Sequence, residues 1–115
     1  MPQLTGGEAV VASLIANGVD TVFGLPGVQM DNLFDAFYGA QDKIRVIHTR
    51  HEQTTAYMAF GYAQTTGKVG VCVVVPGPGL LNAAGALSTA WACNAPGLVI
   101  AGEGWEHQYD KNIVA

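Results

Sequence analysis

The run VGVCVVV, Val69–Val75, is short, continuous and rich in β-branched residues, and PGPG, Pro76–Gly79, stops it at once. An apolar run of this length without alternation is the pattern of a strand covered on both faces, as strands are in a parallel sheet flanked by helices. The PGPG turn hands the chain to LNAAGALSTAWACN, Leu81–Asn94, which reads as a helix, and Pro96-Gly97 leads on to the strand LVIAG. Towards the N-terminus the same alternation recurs. A helix containing Glu52 closes at Gly67, the strand IRVIHT precedes it, MDNLFDAFYG is an amphipathic helix ended by Gly39, and VDTVFG is a strand turned by Pro26-Gly27. The first helix is announced by Thr5 and Glu8 at capping-box spacing, carries Val11, Leu14 and Ile15 on one stripe, and stops at Asn17-Gly18. Strands alternating with helices at this spacing predict an α/β fold, a three-layer domain with a central parallel sheet and helices on both faces.

A chain of 115 residues has room for one small domain, and 50% apolar with only 12% charged residues is rich for a monomer of that size, so part of the apolar surface is expected to meet a partner. The net charge of −4, with five Lys and Arg, leaves no electrostatic footprint for nucleic acid or an anionic membrane. Cys72 and Cys93 stand in apolar contexts without ligand spacing and read as buried free thiols of a reducing compartment; a cytoplasmic location is expected. After Gly102 the composition turns polar and aromatic, and Ile113-Val114-Ala115 ends without a cap. Residues 1–115 are therefore expected to be one domain truncated at its C-terminal end.

Ligands of open α/β sheets sit beyond the carboxyl ends of the strands. The residues to question are thus Leu25-Pro26-Gly27, Arg50-His51-Glu52, Pro76–Gly79 and Glu103. A phosphate-binding reading fits the glycine loops poorly. GPGLLN has Asn82 where a dinucleotide fingerprint needs its last glycine, GLPGVQ lacks a P-loop ending, and Pro76 and Pro78 remove two N–H donors. The loops are better suited to something flat and apolar. Glu52, in a first helical turn, is favoured by the helix dipole whatever its function. Its helix continues with Thr55, Ala56, Met58, Ala59, Phe60 and Ala63, which predicts little solvent face and a carboxylate held among apolar neighbours, a candidate for chemistry. His48 and His51 are expected to serve as turn or capping residues, with no metal site.

GLPG, RHEQTTAYMAFGYAQTTGKVGV, VVPGPGLLN and NAPGLVIAGE, in this order and spacing, resemble the N-terminal, pyrimidine-binding domain of thiamine diphosphate-dependent enzymes, in the group of acetolactate synthase, pyruvate oxidase and benzoylformate decarboxylase. The resemblance implies that Glu52 hydrogen-bonds N1′ of the aminopyrimidine and promotes the 4′-imino form that deprotonates C2 of the thiazolium, for attack on a 2-oxo acid. It implies further that Leu25, Pro26, Val75, Pro78 and Asn82 line the pyrimidine ring, and that Gly27, Val28 and Glu103 stand near the substrate. The diphosphate and its Mg2+ would be held by a separate diphosphate-binding domain of a neighbouring subunit in a homo-oligomer, a dimer or tetramer. Residues 1–115 lack the Gly-Asp-Gly motif of that domain, and nothing in them supports FAD. Val28 departs from the second glycine common in the synthases, and Glu103 from the glutamine of several relatives, which leaves the substrate open. Two other classes fit the same elements: a flavodoxin-like nucleotide-binding module and a non-catalytic assembly domain.

Overall fold

The computed structural model describes residues 3–102, and Glu103 lies outside them. Thr5 caps helix α1 (Gly6–Ala16): its hydroxyl accepts from the Glu8 N–H at 3.2 Å, and the Glu8 carboxylate accepts from the Thr5 N–H at 2.8 Å. Strand β1 (Thr21–Gly24) follows, then a single 3-10 turn (Val28–Met30) that runs into α2 (Asp31–Gly39), β2 (Arg45–His48) and α3 (Glu52–Thr66). Gly67 ends α3 with φ at 71°, the left-handed value that makes glycine the natural residue there. Strand β3 (Gly70–Val74), α4 (Pro78–Ala92) and β4 (Gly97–Ala101) complete the described elements.

All four strands are parallel, in the order β2-β1-β3-β4. The chain passes from β1 to its neighbour β2, then returns across β1 to β3. The connections therefore diverge between β1 and β3, the place where open α/β sheets hold ligands. Alternating side chains divide the core. Val22, Val71 and Val73 face α1 and α2 with Val11, Leu14, Leu33 and Phe37. Phe23 and Cys72 face α3 and α4 with Ala56, Ala59, Ala83 and Ala86. Every residue of β3 is buried, as the unbroken run requires, and the three layers match the expected architecture.

Three readings of the sequence change. Helix α4 begins at Pro78, so Pro78 and Gly79 belong to its first turn and not to a loop. Proline has no N–H to lose at a position whose N–H has no helical acceptor, and its ring presets φ. Helix α3 does have a solvent face: only Thr55, Ala56, Ala59 and Ala63 are buried, because one stripe of small residues suffices to seat it against the sheet and α4. Cys93 is exposed, since it caps the C-terminus of α4 at the surface, while Cys72 is buried as expected.

Candidate functional site

Helices α3 and α4 run side by side, both starting at the carboxyl end of the sheet. Their side-chain links step along the pair almost in register: Glu52 with Asn82, Tyr57 with Thr89, Gln64 with the Cys93 carbonyl, separated by 30, 32 and 29 residues. Parallel packing thus delivers the first residue of α3 to the first turns of α4.

The start of α3 is fixed from below. His51 is its N-cap, with Nδ1 accepting from the Gln53 N–H at 3.1 Å, which fulfils the capping role expected of it. The hydroxyls of Thr49 and Thr55, both buried, are in hydrogen-bond contact and lie 3.0 and 3.3 Å from the His51 carbonyl oxygen. His48, the last residue of β2, is exposed.

Glu52 follows directly and is half-buried, less enclosed than its apolar neighbours in sequence suggested. Its Oε2 accepts from Asn82 Nδ2 at 3.1 Å, and among the described residues the carboxylate has no ion-pair partner. Its Oε1 lies beside Gly79: a Cβ there would stand 3.5 Å from that oxygen and 2.5 Å from Val75 Cγ2. A Cβ on Gly27 would collide with the other methyl of Val75. The isopropyl group of Val75 therefore projects between two glycines, one following β1 and one opening α4, with the carboxylate alongside.

These contacts gather five residues at the switch point: Gly27, Glu52, Val75, Gly79 and Asn82. Leu25 is half-buried and bound to β3 through its N–H to the Val73 carbonyl at 3.1 Å. Pro26 and Pro78 are exposed and adjoin the two glycines that touch Val75. Val28, 64% exposed, opens the 3-10 turn on the rim. Asn82 is not a helix cap; it sits inside α4 and reaches across to α3. Gly79, within the Pro76–Gly79 turn singled out from sequence, packs against Val75 and the Glu52 carboxylate from the first turn of α4, one turn ahead of the fully buried Ala83.

Polar groups at the opposite end of the sheet are occupied with one another. Tyr62 donates to Asp20 at 2.9 Å and Lys68 pairs with it at 3.2 Å; these hydrogen bonds, that of Tyr62 foremost, lower the Asp20 pKa.

Fold and site together define a doubly wound α/β domain with one carboxylate beside an apolar, glycine-cleared wall at its switch point. The family model "Thiamine pyrophosphate enzyme, N-terminal TPP binding domain" matches residues 4–114, and the chain belongs to that family. It is 46% identical over 110 residues to a probable 2-ketoarginine decarboxylase of Pseudomonas aeruginosa, covering 89% of this chain and 19% of that protein. It is 42% identical over 105 residues to the acetolactate synthase large subunit of Buchnera aphidicola, and 43% identical over 105 to the acetolactate synthase isozyme 3 large subunit of Escherichia coli. Each of these two matches covers 90% of this chain and 18% of the relative, so the chain spans about a fifth of the length of these curated relatives. Membership in the family sets aside the flavodoxin-like reading.

Proposed function

We propose that this chain is the pyrimidine-binding half of a thiamine diphosphate-dependent enzyme acting on a 2-oxo acid, and that Glu52 activates the cofactor's aminopyrimidine. One observation carries the reading. Glu52 has one carboxylate oxygen held by Asn82, while the other lies beside Gly79 and Val75 at the switch point. The residues present fit the group: Gly27 and Gly79 leave room for the Val75 side chain, which with the exposed Pro26 and Pro78 supports a wall for a flat ring, and Oε1, free of the Asn82 bond, supports sharing a proton with a ring nitrogen.

Leu25, Pro26, Val75 and Pro78 would enclose the pyrimidine and exclude water from Oε1. Gly27, Val28 and Glu103 would stand towards the substrate. When bound, thiamine diphosphate supplies a nucleophilic carbon for addition to the carbonyl of the 2-oxo acid. The names of the relatives support decarboxylation or carboligation as the outcome. Diphosphate and Mg2+ would be held by the diphosphate-binding domain of a neighbouring subunit, and FAD has no support in the residues described. A homo-oligomer suits the exposed apolar residues of α4, of which Leu81 is 73% and Trp91 86% exposed.

The test is Glu52→Gln in the full-length enzyme, followed by proton–deuterium exchange at C2 of the bound cofactor with quenched NMR. The expected loss is about 10²–10⁴-fold, the usual worth of a general acid or base. Unchanged exchange at full cofactor occupancy would reduce Glu52 to a helix-terminus charge and leave a non-catalytic domain.

A further inference from the structure

Asn82 stands on α4 and its amide is directed at α3. Its Nδ2 donates to Glu52 Oε2 at 3.1 Å across 30 residues of sequence. From this juxtaposition we infer that Asn82 is a positioning residue that acts through Glu52: it holds Oε2 so that Oε1 stays beside Gly79, facing the crevice. The inference rests on the reading of Glu52 given above.

Three features of the geometry support it. A glutamate side chain has three torsions to restrict, and capping of α3 by His51 fixes only the backbone from which they start. A hydrogen bond to an ionised acceptor is about twice as strong as a neutral one, so a single amide can select one rotamer. Asparagine is also the side chain of this length that can serve both protonation states. It donates from Nδ2 to a carboxylate and, turned by 180° about its last torsion, accepts at Oδ1 from a carboxylic acid. A lysine or arginine in its place would hold the anion only, and would compensate its charge. A group that exchanges a proton with a ring nitrogen needs a partner indifferent to which state it is in.

The test is a double-mutant cycle in the full-length protein, Glu52→Gln, Asn82→Ala and both together, read by C2 exchange of the bound cofactor and by calorimetric affinity. Asn82→Ala is expected to slow exchange about 10–100-fold, the usual effect of releasing a reacting group from its orientation. It is expected to leave the melting temperature unchanged, because the site on α4 is exposed and alanine favours the helix. In the Glu52→Gln background it is expected to add almost nothing. Asn82→Asp, the same shape without the donor, is expected to be at least as slow as Asn82→Ala.

A second readout needs no cofactor. One side-chain amide proton of Asn82 in the cofactor-free protein is expected to be shifted downfield, and to return to the position of a free asparagine in Glu52→Ala. Additive losses in the cycle, full activity of Asn82→Asp, or an amide signal indifferent to Glu52 would each overturn the inference. If Glu52→Gln alone leaves exchange intact, the reading of Glu52 fails instead, whatever Asn82 does.

Discussion

The hydroxyl of Thr55, in the first turn of α3, meets the hydroxyl of Thr49, just past β2, in a buried contact, and both lie within reach of the His51 carbonyl. The contact ties the loop to the helix it feeds. Thr55→Val keeps the volume and removes the link, and is expected to cost about 1 kcal/mol, the net worth of a typical internal hydrogen bond. Urea denaturation measures it, and C2 exchange should slow in parallel because the helix start loses its anchor. A full-stability variant with intact exchange would show the contact to be incidental.

Gly79→Ala sets two effects against each other. Alanine inside a helix gains up to about 1 kcal/mol over glycine, but this Cβ would come 2.5 Å from Val75 Cγ2 and crowd Glu52 Oε1. Overpacking of that kind typically costs about 1–3 kcal/mol. The expected result is a lower melting temperature and weaker cofactor binding, with stability partly restored by adding Val75→Ala. A stabilised Gly79→Ala would mean that Val75 moves freely aside.

The two cysteines are expected to separate chemically. Burial pushes the Cys72 thiol up to about 11, whereas Cys93 is exposed at the end of α4. A thiol reagent at pH 8 should label Cys93 promptly and Cys72 only after unfolding. Folding holds Cys72 protonated where the unfolded chain ionises, so its contribution to stability is complete below the ordinary thiol value of 9.0 and is lost as pH rises towards about 11. Cys72→Ala should abolish that part of the alkaline loss of stability.

Leu81 and Trp91, ten residues apart on α4, are both largely exposed. If this exposed apolar surface meets a neighbouring subunit in the full-length protein, Trp91→Lys should shift sedimentation towards smaller species and lower cofactor affinity with it. An unchanged assembly would place the interface elsewhere.

Most of the architecture could be read along the chain because each element carries a local cause. The unbroken run ending at Val75 has no solvent face, Thr5 and Glu8 cap reciprocally, and Gly67 ends α3 in a conformation few other residues adopt. Glu52 and Pro26 could be singled out because strand ends are where such sheets bind ligands, whereas Val75 came only from the family resemblance. The contact of Asn82 with Glu52 was not legible, since it depends on how α3 lies against α4 and no local pattern encodes a spacing of 30 residues. Pro78 was read as a breaker when it is a starter, a distinction set by whether the following residues go on as a helix. Cys93 was read from its apolar neighbours, but on a helix those neighbours point in other directions.

Val75 lies one residue past β3, the strand that is bonded to β1 on one side and β4 on the other and is buried along its whole length. Amides of Val71–Val74 are therefore expected to exchange with solvent only through global opening, and the Val75 wall inherits that rigidity. The opposite wall is a connection and not a strand: Leu25–Met30 is held to β3 by the Leu25 N–H, closed on itself by the Met30 N–H to the Gly27 carbonyl at 2.8 Å, and pinned at its far end by the buried Met30. Breathing of the crevice, and with it the rate at which an occupant enters and leaves, thus belongs to the β1 side, and the kinetics of exchange can be tuned there without unsettling the carboxylate.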